Sequence, residues 1–169
     1  MSHFLEMKLL REGRPAVLHG AKVGVCSLLA AELYAMLRRI DRSEAVNRLN
    51  VSLLPDRTAE IQRIQNEYGA ISGSLVVEQA PFLDMNTEDF DRLKMRVLTH
   101  WDEIQILATE VPTPARLADL LSQVGGATRP AGLGLSDEEV QKALAVSHFL
   151  RNRFTICKLG CILGLNNGS

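Results

Sequence analysis

The sequence predicts an all-α fold, a bundle of roughly seven helices, and three features lead there. Apolar residues recur at alternating steps of three and four through most of the chain, the repeat of an amphipathic helix. Side chains that cap helices, among them Asn86, Thr113 and Ser136, stand immediately before such segments. The one strand-like run, Leu75-Val76-Val77 within Ile71 to Pro81, has no second strand to pair with.

In chain order, Phe4, Leu5, Leu9 and Leu10 set the apolar side of a first helix that Gly13-Arg14-Pro15 ends. His19 opens the most apolar helix, which runs to about Ile40 and is apolar nearly all round, so it belongs inside a bundle rather than on its surface. Asp41-Arg42-Ser43 offers a turn and an N-cap, and a polar segment, helical or irregular, follows to Pro55. Thr58 is placed to cap a helix with Ile61, Ile64 and Tyr68 on one face, and Gly69 to stop it. From Asn86, with Glu88 and Asp89 in the first turn, the stripe Phe90, Leu93, Val97, Trp101, Ile104 and Ala108 predicts one long helix. Thr113 caps the next, with Pro114 at its first position and Gly125-Gly126 at its end. Ser136 to Glu139 form a capping box before a helix from Val140 to about Leu150, and an apolar helix follows around Ile156 to Leu163.

A length of 169 residues gives one domain. With 46% hydrophobic residues and a formal net charge of −1, the chain lacks the basic excess of a nucleic-acid binder and the polarity of a disordered tail. Cys26, Cys157 and Cys161 lie in apolar runs and read as buried thiols of a reducing compartment. No second Cys/His pair supports a structural zinc site. The longest apolar runs are interrupted by Lys22, Ser27 and Glu32 or by Lys158, which argues against a membrane span. The N-terminus lacks the basic start and apolar core of a secretory signal, so the expected location is the cytoplasm.

Residues able to do chemistry are few. There is no glycine-rich strand-to-helix turn and no serine or cysteine nucleophile motif, and no residue is singled out as catalytic. His19, at the mouth of a packed helix, has two readings: a metal ligand with a fixed orientation, or a histidine satisfied by a nearby carbonyl. His100 and His148 lie on the flanks of apolar stripes, where packing is the commoner role.

The segment His19-Gly20-Ala21-Lys22-Val23-Gly24-Val25 resembles the His-Gly-x-Lys/Gln-Val-Gly/Ala segment of polyol dehydrogenases related to glycerol dehydrogenase and dehydroquinate synthase. Ser2 to Met7, Leu98 to Ile104, Pro112-Thr113-Pro114, Gly132 to Leu135 and Arg151 to Thr155 are similar to the C-terminal half of the sn-glycerol-1-phosphate dehydrogenase family. The resemblance spans the chain, and residues 1–169 read as a single helical metal- and substrate-binding domain that follows a nucleotide-binding α/β domain in longer members. It implies interconversion of dihydroxyacetone phosphate and sn-glycerol 1-phosphate with NAD(P), at a divalent metal, zinc or in some members nickel, held by an aspartate and two histidines.

Carried over, one histidine ligand falls on His19, and the others lie in sequence that would precede Met1. His3 is an alternative for the other histidine ligand, although the resemblance places it away from the metal. Lys22 is the candidate for substrate phosphate, or it snorkels at the cleft edge. Arg151 and Arg153 are further arginines within reach of a phosphate, or close a helix end. The isolated chain is expected to be inactive, and a homo-oligomer is expected. The alternatives are a glycerol dehydrogenase-like enzyme acting on a free polyol and a non-catalytic helical interaction module.

Overall fold

The computed structural model describes residues 1–166, and among these it contains ten α-helices and no strand. They are α1 (Ser2–Arg11), α2 (His19–Leu37), α3 (Arg42–Val51), α4 (Arg57–Tyr68), α5 (Ser72–Leu83), α6 (Thr87–Thr99), α7 (Trp101–Glu110), α8 (Pro114–Gln123), α9 (Asp137–Val146) and α10 (Ile156–Ile162). Short 3-10 turns occupy Gly69–Ile71, Pro130–Leu133 and Ser147–Phe149. All-α was the expectation. The three helices beyond seven come from the polar segment after Asp41, from the stretch read as strand-like, and from division of the long helix after Asn86.

Each departure has a local cause. The segment Ile71 to Pro81 is helical because Leu75, Gln79, Phe82 and Leu83 fall on one face and pack against α4. Pro81 sits in the last turn of α5, where its missing N–H removes a single bond to a carbonyl of the exposed residue Val77. In α3 and α4 the caps are Asp41 and Asp56, whose carboxylates accept from the N–H groups of Glu44 and Ala59. Thr58, expected as a cap, therefore lies inside the first turn of α4. The stripe from Phe90 to Ala108 is buried as expected, but the backbone breaks at His100, between α6 and α7, with Trp101 wholly inside. Asn86 and Ser136 both close capping boxes, Thr113 caps α8, and Gly69 ends α4 with a φ of +54°, a value that favours glycine.

The middle of the bundle is α2, which touches α1, α7, α8 and α10. As expected, its apolar residues lie on all sides. Its exposed positions change side along its length, with Val23 and Ser27 on one side of the first half and Glu32 and Met36 on the opposite side of the second, while Val25, Leu29, Leu33 and Leu37 are buried. By length and composition α2 is long and apolar enough to cross a membrane, contrary to the reading that its polar residues rule this out. Two charges in 19 residues are too few to break its apolar character, and half of the relevant window is buried against other helices. Gly24 lets α8 come close: a Cβ there would stand 3.0 Å from a methyl of Leu121.

Two large clusters and a small one of Val25, Leu29 and Val140 share the interior. One large cluster gathers Leu33, Leu37, Phe82, Phe90, Trp101 and Leu163, and the other Phe4, Leu5, Ile64, Tyr68, Leu83 and Phe149. The second anchors α1, since the Phe4 ring meets Tyr68 edge-on and the Tyr68 hydroxyl donates to the Val146 carbonyl at 2.7 Å. Replacing the α4 cap, Asp56→Ala, should cost about 1 kcal/mol in denaturant unfolding, whereas Thr58→Ala should leave the midpoint nearly unchanged.

Candidate functional site

The first turns of α1 and α2 lie side by side, and their polar residues meet at Glu6. Its position follows from the packing of α1. Phe4, Leu5 and Leu9 are buried, which turns His3 and Glu6 toward the start of α2. Lys22, one turn into α2, is only 3% exposed and its ammonium donates to Glu6 Oε1 at 3.0 Å. His19 Nδ1 and His3 Nδ1 lie 3.6 and 3.7 Å from Glu6 Oε2, and the two imidazole rings are 5.7 Å apart. The Lys22 hydrogen bond, reinforced by charge from Lys22 and His19, holds the Glu6 carboxyl below its ordinary range.

His19 is solvent-exposed at the start of α2, so its imidazole is accessible to a ligand. Lys22 is committed to Glu6. The structure brings His3 to the same cluster, although the resemblance sets it apart from the metal. Arg151 and Arg153 do not continue α9, which ends at Val146; both lie exposed in the bends after the 3-10 turn. His100 is exposed and pairs with Glu103 at 3.2 Å, away from this cluster.

A metal site needs more than this. Among the described residues no group of three or more His, Cys, Asp or Glu side chains is placed to hold a metal ion. His19 fits as one ligand, and a catalytic zinc normally takes three from protein. Among the described residues His19 would need donors from elsewhere to complete such a set.

A second polar group, which sequence reasoning did not bring together, lies deeper. His148 is buried, with Nδ1 3.4 Å from the Cys161 sulfur, and Asn166 Nδ2 donates to that sulfur at 2.9 Å. Burial pushes the Cys161 thiol up to about 11, and burial with the nearby charges of Lys158 and Arg63 pushes His148 down to about 3. Both are neutral near pH 7, so this is no activated thiolate–imidazolium pair. Lys158 is likewise buried and lowered to about 8 by desolvation; its ammonium donates to Gln79 Oε1 at 2.8 Å and sits 4.4 Å from the centre of the Phe82 ring. Only the four-residue spacing of Cys157 and Cys161 hinted at this cluster.

No family model matches the chain, and no solved structure matches it significantly. Curated relatives do. A protein from Geobacillus thermodenitrificans is 31% identical over 166 residues, 96% of this chain, and one from Geobacillus stearothermophilus is 32% identical over 157 residues, 92% of it. A third, from Halalkalibacterium halodurans, is 29% identical over 156 residues. All three bear the name NAD(P)+ glycerol-1-phosphate dehydrogenase, and the chain spans about a third of the length of each, 32%, 30% and 29%.

Two outcomes follow for the charged groups. Glu6→Gln leaves the Lys22 ammonium without its carboxylate and lowers the thermal midpoint, while the double variant Glu6→Gln, Lys22→Met recovers much of the loss. Because His148 is neutral when folded but takes a proton near pH 6.5 when unfolded, its contribution to stability is flat above pH 6.5 and falls as pH drops toward 3. Between pH 6.5 and 4.5 the loss should be roughly 2–3 kcal/mol, read from urea midpoints, and His148→Gln should remove most of that slope.

Proposed function

We propose that this chain, related over nearly its whole length to glycerol-1-phosphate dehydrogenases, is the helical, substrate-facing part of such an enzyme. In the whole enzyme dihydroxyacetone phosphate, NAD(P)H and a proton would give sn-glycerol 1-phosphate and NAD(P)+, with a nucleotide-binding domain supplying the cofactor site. The observation that carries the reading is the near end-to-end similarity, together with the exposed histidine at the start of α2.

In this proposal His19 is one ligand of a divalent metal, zinc or nickel, whose chemistry is to polarise the substrate's oxygen. Glu6 beside His19 Nδ1 favours a proton on that nitrogen and leaves Nε2 as the ligating one. Lys22 holds Glu6 in place, and would bind a substrate phosphate only by exchanging Glu6 for it. Its part is thus to position a carboxylate–histidine pair. We place the enzyme in the cytoplasm, where the free thiols Cys26, Cys157 and Cys161 suit a reducing environment.

The test supplies the chain with an NAD(P)-binding domain, within its full-length gene product or grafted onto the Geobacillus thermodenitrificans relative. With zinc or nickel added, dihydroxyacetone phosphate should drive NADH oxidation, glycerol should be a poor substrate in the reverse direction, and His19→Ala should lower turnover at least about 100-fold. A folded, metal-loaded protein without turnover would reject the dehydrogenase reading. Equal use of glycerol and its phosphate would shift it to a free-polyol enzyme.

A further inference from the structure

A cavity of about 540 Å³ opens beside the Glu6 cluster, between α1, α5 and the segment 147–155. That volume lies within the range of small-molecule sites. His3 and Glu6 line it, so it reaches the group that includes His19. Met7, Leu75 and Leu150 contribute apolar wall. Its remaining polar wall comes from Glu78, Ser147, His148, Arg151 and Thr155.

Two of these groups lack partners. Ser147 is buried, yet its hydroxyl has no hydrogen-bond partner among the described residues. A buried hydroxyl left unpaired is costly, and a ligand that bonds to it removes that cost. Arg151 forms no ion pair among the described residues, whereas Glu6 is matched by Lys22. Glu78 accepts from the Asn152 N–H at 3.1 Å, which ties the segment carrying Arg151 to α5. Glu78 likewise forms no ion pair among the described residues, so the wall carries one unmatched cation, Arg151, and one carboxylate held by a backbone N–H. A guanidinium is the group best shaped to take two oxygens of a phosphate at once.

We infer that this cavity is the phosphate subsite for a small phosphorylated polyol, with Arg151 gripping the phosphate, the Ser147 and Thr155 hydroxyls supporting it, and the carbon chain extending toward His19. The inference rests on the phosphorylated-substrate reading above and assigns recognition of the phosphate to Arg151 rather than Lys22. Arg153, two residues on, does not line the cavity and serves as the control.

The experiment titrates the chain with sn-glycerol 1-phosphate, glycerol and inorganic phosphate by calorimetry and ligand-observed NMR. The phosphate ester should bind about ten-fold or more tightly than glycerol, as one charge-assisted contact requires, and inorganic phosphate should compete with it. Arg151→Gln should erase the preference over glycerol, Ser147→Ala should weaken the ester a few-fold, about the worth of one neutral hydrogen bond, and Arg153→Gln should change neither. Thermal melts show whether each variant is folded, and Arg151 is exposed, so its replacement leaves the core intact.

Retention of the preference in Arg151→Gln, an equal loss in Arg153→Gln, an ester no tighter than glycerol, or phosphate that does not compete would each overturn the subsite. The subsite and the dehydrogenase reading fail separately. An inactive full-length enzyme with an Arg151-dependent phosphate preference rejects only the activity, and an active enzyme without that dependence rejects only the subsite.

Discussion

The buried ammonium of Lys22 constrains everything around the candidate site. At 3% exposure it has lost nearly all of its water, and a charge so placed is tolerated only when an opposite charge meets it. Glu6 meets it, and in doing so fixes the rotation of α1 against α2. That same rotation carries His3 to within 5.7 Å of His19, ring to ring, and puts the 540 Å³ cavity at their edge. One ion pair thus links the burial of α2 to the composition of the site.

The rest of the interior follows similar logic with different partners. Lys158 meets no carboxylate among the described residues; it relies on the Gln79 amide oxygen and the face of Phe82, and its charge is correspondingly disfavoured. Gln79 is wholly buried and passes the connection on, its amide donating to the Phe149 carbonyl at 3.0 Å. This chain of contacts joins α10 to α5 and to the 3-10 turn that precedes Arg151. Neutral His148 and the protonated Cys161 thiol add two more uncharged polar groups to the same region. The segment bearing Ser147 and Arg151 is consequently held from beneath by buried hydrogen bonds and from the side by Glu78.

Much of this architecture is legible in the residues. Capping signals at Asn86, Thr113 and Ser136 act within three residues, so they survive any tertiary context, and the stripe from Phe90 to Ala108 is buried even though its backbone breaks at His100. Leu75-Val76-Val77 misleads because β-branched residues favour strands weakly, and packing of Leu75, Gln79 and Phe82 outweighs that preference. Asp56 and Thr58 show the limit of local reading: both are capping residues, and the choice depends on where the chain leaves Pro55. The site is harder still. His19 and Lys22 stand out in one motif, but Glu6, Ser147 and Arg151 are separated from it by 13 to 132 residues, and no local pattern marks them as neighbours.

That separation bears on how substrate selection and chemistry divide. The groups nearest His19 come from two helix starts locked by an ion pair, and their geometry is insensitive to what the rest of the surface does. Arg151 instead sits in an exposed bend, tethered through one backbone hydrogen bond to Glu78. Rigid helix starts suit a centre that must keep its distances, and an exposed bend suits a group that closes on an incoming phosphate. On the proposed assignment, changes in residues 147–155 would alter which polyol is accepted while leaving the Glu6, His19 and Lys22 arrangement untouched.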